Sequence, residues 1–347
     1  MASYSRLNRE DITVSTDKVV SNAWSQDTDT LTTFFTSSTQ AVFTTATSQG
    51  NFYLDTYKDN INETSSADIQ FAVSYGHKAG SGSIAFTNTA GALGNSSTKV
   101  IYNQYRQLIY GDENSDFTFS GGTSNDIWVI NVSRGRYKHA LKAGSLNLVL
   151  SDGTNTTHLT DDSITLTGSS TTTNLGRQFN LVSGSNGVML GSSLPQTAGA
   201  HLMSGSYGFV YPEAGIIVLN GTALRNRTIA KWTEATSGTS NQKKVQLLYN
   251  AFKGTGASFQ VDSEEKVSSQ YMFVRVKNSE FNYSSNPSYI DGNGNLNNTT
   301  MADSPTSYIT TVGLYNDDNN LLAVAKLSQP LKKDFTTEAL VRIKLDY

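Results

Sequence analysis

The sequence predicts a mainly β protein with a few helices, an α+β chain in which a split host domain carries an inserted β-sandwich or barrel-like domain. Charged residues make up only 16% of the chain and hydrophobic residues 37%, while Ser, Thr, Asn and Gly fill much of the rest. Small polar residues disfavour helix interiors and suit strands and turns. Many short apolar runs are separated by turn residues, and only two segments show helical periodicity.

Composition excludes several functional classes. The 347-residue chain has a net charge of −3 and no basic run, so nucleic acid is not expected as a partner. No stretch of roughly 18 apolar residues is present, which argues against a membrane partner. The first residues lack the pattern of a signal peptide, which favours synthesis in the cytoplasm. The absence of cysteine excludes disulfides, cysteine-ligated zinc and cysteine nucleophiles.

Residues 1–50 are polar and weakly patterned. Their aromatic residues Trp24, Phe34 and Phe35 are spaced too irregularly for one helix or strand. Two interpretations remain open: a loosely folded segment over the domain surface, or an arm that docks its aromatic residues on a neighbouring subunit.

The host domain is predicted to comprise residues 51–110 and 239–347. Its first part contains a strand at Ile69–Tyr75 and a helix at Thr98–Tyr110, ended by Gly111. A second helix is predicted at Asn241–Lys253, ended by Gly254. Both helices are amphipathic, and we expect them to cover the C-terminal sheet.

The inserted β domain is predicted at residues 111–238, where short strands are broken by turns. The predicted strands are Trp128–Val132, Ser145–Leu150, Ser163–Thr167, Gln178–Val182 and Tyr207–Leu219. The turn signals are the pairs Gly121-Gly122, Asp152-Gly153 and Asn186-Gly187. Insertion is plausible because domain termini often lie close together.

The C-terminal residues 271–347 predict a sheet of four strands, three of which lie at Tyr308–Tyr315, Leu321–Leu327 and Leu340–Tyr347. The last of these alternates apolar and charged residues, as a half-buried strand does. A turn is expected at residues 316–319, and Pro330 is expected to end the preceding strand because it cannot donate to a ladder.

The sequence predicts no catalytic, cofactor or metal site. His77 lies in a glycine-bearing loop and is interpreted as an exposed or interface residue, since none of the four histidines has metal-binding spacing. Residues 291–295 place oxygen ligands at alternate positions, but Leu296 and Ala302 depart from a calcium loop, so a solvated turn is favoured. The acidic pairs Asp161-Asp162 and Glu264-Glu265 would point to opposite faces of a strand.

Several segments resemble virion proteins of contractile-tailed phages, especially T4-like phages including those of cyanobacteria. The resemblance is carried by Phe273–Pro287, Tyr308–Asp317 and Leu322–Leu327, and by Lys18–Thr36 and Tyr75–Lys78 nearer the N-terminus. It covers both ends of the chain well and the middle poorly, as expected for a common host domain with a variable insertion.

The resemblance implies a non-enzymatic structural protein of the virion tail, most plausibly of the baseplate, without a cofactor. Its implied partners are other tail proteins in an assembly with three- or six-fold symmetry, with host-surface contact as a further option. A fibre adaptor or a neck component remains an alternative position. The candidate interface residues are Trp24, Phe34, Phe35, His77, Tyr315 and Tyr347.

Two rival functions stay open. The first is a receptor- or glycan-binding module, which would stack sugars on Trp128, Tyr137 and Tyr211 of the inserted domain, although core packing explains these aromatic residues better. The second is a tail-borne hydrolase, which would need converging carboxylates.

Overall fold

The structure is a computed structural model that describes residues 4–36, 53–64, 67–80, 98–112, 114–119, 122–164, 171–189, 207–225 and 244–346. Within these ranges strands dominate and three α-helices occur, which confirms the mainly β prediction. The helices are α1 (Thr98–Tyr110), α2 (Gly221–Arg225) and α3 (Val245–Lys253). The first ten strands are β1 (Ile12–Asn22), β2 (Thr30–Leu31), β3 (Tyr53–Tyr57), β4 (Ile69–His77), β5 (Thr118–Phe119), β6 (Gly122–Thr123), β7 (Asp126–Val132), β8 (Ala140–Leu141), β9 (Asn147–Ser151) and β10 (Thr156–Asp161). The others are β11 (Thr171–Thr173), β12 (Gly176–Ser185), β13 (Val188–Met189), β14 (Gly208–Tyr211), β15 (Ile216–Asn220), β16 (Ser258–Gln260), β17 (Asp262–Val276), β18 (Ser307–Tyr315), β19 (Leu321–Lys333) and β20 (Ala339–Asp346).

The chain divides into two compact units whose boundaries differ from those that the sequence predicts. Residues 19–265 form one, called here the barrel unit, and residues 1–18 and 266–347 form the other, called the terminal unit. No boundary falls near residue 110, because β7 of the predicted insertion pairs along its whole length with β4 of the predicted host. At the other predicted boundary, β16 pairs with β9.

The barrel unit is built on a large antiparallel sheet that curls on itself. Its strand order is β2-β16-β9-β10-β12-β14-β15-β7-β4-β3, and β11 and β13 also pair with β12. Phe259 of β16 and Phe71 of β4 have six strands between them in this order, yet their ring centroids lie 5.2 Å apart. Phe35, just after β2, exchanges backbone hydrogen bonds of 2.9 and 2.8 Å with Tyr57 at the end of β3. The two ends of the sheet are therefore joined, and a barrel-like core results.

Both faces of the central strands are buried, which explains their continuous apolar sequence. In β7, Trp128 and Ile130 belong to the large core, whereas Ile127 and Val129 belong to a second core on the other face. The helix α1 covers this second face by lying against β4. Gly76 permits the close approach, because a Cβ atom there would lie 2.8 Å from the backbone nitrogen of Tyr102.

The helix predictions are confirmed in part. The observed bounds of α1 equal the predicted ones, and α3 ends at Lys253 as predicted but begins at Val245. Residues 241–243, at the predicted start, lie outside the described residues. The expectation that both helices cover the C-terminal sheet is wrong: α1 packs on β4, and α3 packs on β9, β4 and β3.

Two predicted strands in the middle of the chain and the leading segment differ from the expectations. Residues 207–219 are not one strand, because the turn at 212–215 divides them into the hairpin β14–β15. Of the predicted strand Ser163–Thr167, the first two residues form a turn and the rest lie outside the described residues. Within the leading segment, residues 4–36 contribute β1 and β2 and the buried residues Trp24 and Phe34, so this part is neither loosely folded nor a free arm; residues 1–3 and 37–50 lie outside the described residues.

Buried tyrosines give the barrel unit a predicted sensitivity to alkali. Burial raises the pKa of Tyr102, whose hydroxyl donates to the Ser124 carbonyl (2.7 Å), to about 12. Burial likewise raises the pKa of Tyr249 to about 12 and that of Tyr211 further. Above the exposed-tyrosine value near 10, the unfolded chain releases phenolic protons that the folded chain retains.

We therefore expect the unfolding free energy of the barrel unit to be lost as pH rises through the range from about 10 to about 12. Urea unfolding at a series of pH values, with phenolate absorbance recorded in parallel, measures this loss. In Tyr102→Phe, the slope of the unfolding free energy against pH should correspond to about one proton fewer released on unfolding than in the wild type. Ionisation of these tyrosines before unfolding, with unchanged stability, would contradict the expectation.

The terminal unit contains two layers. One is built from β20 and from the parts of β1 and β17 that lie in residues 12–18 and 266–276; these belong to a four-stranded sheet of order β1-β17-β20 in which β8 also pairs with β17. The other is the separate two-stranded sheet β18–β19, so the predicted single C-terminal sheet is wrong. The alternation in β20 is confirmed, with Val341 and Ile343 buried and Arg342 and Lys344 exposed. The inner side chains of both layers form one apolar core.

The strand β19 does not end at Pro330 but continues to Lys333. Pairing along the hairpin shifts from Ile309–Leu331 to Thr311–Lys326. Residues 327–330 therefore have no one-to-one partners, and a proline there removes no regular ladder hydrogen bond.

Candidate interaction surface

A cleft of 830 Å³ lies within the terminal unit, alongside β18. Its apolar lining comes from strand residues and includes Val274, Val276, Ile309, Val312 and Leu314. Three aromatic side chains, each more than a third exposed, stand at its sides: Tyr4, Phe281 and Tyr315. Polar residues complete the lining, among them Arg6, Asn316, Asp317 and Asn319. An apolar cleft with aromatic walls and a polar rim is typical of binding sites.

Tyr4 and Tyr315 form one aromatic wall of the cleft, at the end of β18. Gly313 has no side chain, and the Tyr315 ring lies over the space that results: a Cβ atom at residue 313 would be 2.9 Å from the ring. Tyr4 meets the same ring edge-on, with centroids 5.1 Å apart. The wall therefore joins a segment near the N-terminus to the C-terminal hairpin.

The loop that carries Phe281 is fixed by a buried lysine. Lys333 is fully buried, and its ammonium group donates to the carbonyl oxygens of Asn278 (2.9 Å) and Asp334 (2.8 Å) and to Oδ1 of Asn282 (2.7 Å). Ser307 also donates to the Phe281 carbonyl. Three hydrogen-bond acceptors surround the three N–H donors, so the charge is well solvated by the protein itself.

The Asp334 carboxylate stabilises the turn that follows β19. It accepts hydrogen bonds from the hydroxyl (2.7 Å) and the backbone N–H (2.9 Å) of Thr336. These bonds hold the pKa of Asp334 well below its usual range. The turn thus keeps the Asp334 carbonyl in place for Lys333.

The hairpin also exposes apolar side chains outside the cleft. Leu321, Leu322 and Val324 of β19 are each more than half exposed. Leu321 adjoins the Tyr315 side of the cleft, because its Cδ1 lies 3.3 Å from the same Cβ position at Gly313. Exposed apolar side chains beside an apolar cleft are typical of an interaction surface.

Some of the predicted interface residues are exposed in the structure, whereas others are buried in the core. Tyr315 lines the cleft and is 43% exposed. Trp24 and Phe34, by contrast, are only 2% and 5% exposed in the barrel core, where the Trp24 indole donates to the Phe259 carbonyl (2.9 Å). Phe35 is 36% exposed and closes the barrel through its backbone. Tyr347 lies outside the described residues.

The interpretation of His77 as an exposed loop residue is wrong. It is the last residue of β4 and only 4% exposed, and its Nδ1 accepts a hydrogen bond from the backbone N–H of Ala79 (3.0 Å). Its cross-strand neighbour is Asp126, which is also buried. A loop prediction failed here because the strand extends two residues beyond its predicted end at Tyr75.

Three of the acidic side chains that the sequence singled out, Asp291, Asp161 and Asp162, accept hydrogen bonds from the backbone. Asp291 accepts from the N–H groups of Asn293 (2.9 Å) and Asn295 (2.7 Å), and the bonds to Asn295 lower its pKa. Asp161 accepts from the Gly144 N–H, whereas Asp162 accepts from the N–H of Asn180. Within the described ranges, His, Asp and Glu side chains do not gather in metal-binding groups of three.

The aromatic residues considered for sugar stacking are part of the core. Trp128 and Tyr211 are fully buried, and Tyr137 is nearly so. The structure thus favours the packing interpretation for all three.

Sequence reasoning found Tyr315 but missed Tyr4, Arg6, Phe281 and Asp317 as cleft residues. Four separate segments meet there, and no local pattern reports such a meeting. Among the described residues, no helix combines the length and the apolar character needed to cross a membrane. Comparison with known proteins yielded no match to a family model, to a curated protein or to a solved structure.

Proposed function

We propose that the protein is a non-enzymatic structural component of a phage virion, a tail or baseplate protein that joins neighbouring tail subunits through its terminal unit. The observation that carries the proposal is the cleft alongside β18, together with the exposed apolar side chains of β19. The segments that resemble tail proteins, including Tyr308–Asp317 and Leu322–Leu327, supply much of this surface.

Adhesion between subunits requires apolar area that is buried on assembly, surrounded by polar groups that keep the free subunit soluble. The aromatic and aliphatic side chains of the hairpin provide the first, and Arg6, Asn316 and Asp317 provide the second. The barrel unit, with its own closed core, would be the part available to contact another tail protein or the cell surface. Three- or six-fold assembly follows from the symmetry of a tail.

The test compares two matched valines in the phage that encodes the protein. Val324 on the hairpin and Val188 on the barrel unit are 53% and 52% exposed. We expect Val324→Ser to lower incorporation into purified virions by about fivefold or more, because it removes apolar contact area, while Val188→Ser has no effect. Mass spectrometry of gradient-purified particles measures incorporation.

Both substitutions are expected to change stability by less than about 0.5 kcal/mol, since both sites are exposed. Absence of the wild-type chain from purified virions would refute the proposed function. Equal incorporation of the two variants would refute the role of the hairpin.

A further inference from the structure

The edge of β18 that does not face β19 borders the cleft. In the described part of the chain, β18 pairs with β19 and with no second strand. The cleft lining includes five consecutive residues of β18, Thr311 to Tyr315. Because successive side chains of a strand point to opposite faces, one face alone would contribute only alternate residues. The strand therefore presents its edge, with backbone N–H and C=O groups, to the cleft.

The strand β17 lines the same cleft in a different way. It contributes the alternate residues Val274 and Val276, as expected for a strand that presents one face. The cleft is thus a groove with a sheet edge along one side and an apolar β surface beneath. This combination suits an extended chain segment, whose backbone can pair with the edge while every second side chain meets the apolar surface.

The length of the groove and its charged lining residues indicate which kind of segment it would bind. Five edge residues span roughly 17 Å at about 3.3 Å per residue, which matches a segment of five to seven residues. Arg6 and Asp317 both line the groove, and neither side chain forms an ion pair with another described residue. An occupant that carries both an anionic and a cationic group would complement these two side chains.

We propose that this groove binds an extended segment of a neighbouring tail protein by β-strand addition to β18. The segment carries apolar, preferably β-branched, residues at alternate positions, and it carries a Lys or Arg that pairs with Asp317. This inference rests on the proposed function for the identity of the partner as a tail protein, whereas the mode of binding follows from the groove itself.

Synthetic peptides test the mode of binding with the full-length chain. The probes are acetyl-Lys-Val-Thr-Val-Thr-Val-Glu-amide and the peptide with the reversed sequence. The two peptides place their Lys and Glu at opposite ends, so a comparison of their affinities shows in which direction the bound strand runs. We expect binding by calorimetry, and slower hydrogen exchange of the amides of residues 311–315 in the complex.

N-methylated peptides separate backbone pairing from side-chain contact. Methylation of the two Thr nitrogens removes donors from one edge of the peptide strand, and methylation of two Val nitrogens removes them from the other. We expect one derivative to lose about tenfold or more in affinity while the other keeps most of it. Equal losses in the two derivatives, or no loss in either, would overturn strand addition.

Two matched pairs of variants test the groove. Tyr315 lines it, whereas Tyr308 on the same strand is exposed and does not. Tyr315→Ser should weaken peptide binding about fivefold or more, and Tyr308→Ser should leave it unchanged. Asp317→Asn should weaken binding and reduce its salt dependence, in contrast to Asp318→Asn, because Asp318 lies outside the lining.

Other outcomes distinguish the two proposals. Self-association of the chain that depends on Tyr315 would make a second copy the occupant and overturn the assignment to a different tail protein. Peptide binding with the expected N-methyl asymmetry, together with absence of the chain from virions, would support strand addition and refute the virion role. A chain found in virions that binds neither peptide would keep the virion role and overturn strand addition.

Discussion

Replacing Phe71 with alanine is expected to lower the unfolding free energy of the barrel unit by about 3–5 kcal/mol. Phe71 is fully buried, and its ring lies 4.9 Å from that of Phe252 and 5.2 Å from that of Phe259. The rings of Trp24 and Phe34 are each 6.2 Å away. The ring therefore packs between both ends of the curled sheet and α3, and its loss leaves a cavity where they meet.

Tryptophan fluorescence during denaturant unfolding measures this effect, since Trp24 and Trp128 are buried in the barrel unit and the terminal unit contains no tryptophan in its sequence. The matched control is Phe35→Ala, at a residue that is 36% exposed and acts through its backbone. This control should cost less than about 1 kcal/mol. Equal losses for the two alanine variants would show that the aromatic cluster is not what closes the barrel.

Lys333→Met is expected to destabilise the terminal unit by about 3 kcal/mol. Methionine retains most of the volume but removes the ammonium group, so that the oxygens of Asn278, Asn282 and Asp334 lose their buried donor. Hydrogen exchange of residues 307–333, followed by mass spectrometry, reports the local unfolding free energy.

The neighbouring residue provides the control for Lys333. Lys332 is exposed and forms a surface ion pair of 3.4 Å with Asp334, so Lys332→Met should change stability by less than about 1 kcal/mol. If both methionine variants exchange at the same rate, the buried ammonium does not hold the Phe281 loop in place.

The elements that the sequence predicts well are those with a complete local pattern. The helix Thr98–Tyr110 has an apolar stripe and a glycine at its end, and its bounds agree with the structure. The last strand shows a period of two over its whole length, and its buried face is the predicted one. Both signals depend on residues within one segment, where propensity and periodicity apply.

The domain boundaries depend on contacts that no local pattern reports. The two-residue strand β2 pairs with β16 more than two hundred residues later, and Phe35 closes the sheet through one backbone bridge. Trp24 and Phe34 therefore look like isolated aromatic anchors in the sequence, although they fill the core. His77 looks like a loop residue because glycines follow it closely.

The candidate surface was predictable only in part, for the same reason. The exposed aromatic side chain of Tyr315 follows from strand alternation next to a turn. The groove, however, needs β17, β18, the Phe281 loop and the residues near Tyr4 together. The sequence of β18 identifies it as a strand. Whether that strand lies at the edge of a sheet depends on the order of the strands in the sheet, which its own sequence does not report.

The terminal unit is built from both ends of the chain, and this has a consequence for its synthesis on the ribosome. Residues 4–18 leave the ribosome early, but their partners begin at residue 266. At about 5–20 residues per second, the wait between the two parts lasts roughly 10–50 s. During this time the barrel unit can complete its fold, while the aromatic wall residue Tyr4 has no Tyr315 to meet. A chain whose translation stops before β18 thus lacks the edge strand of the proposed groove, so truncated copies of this kind cannot present it.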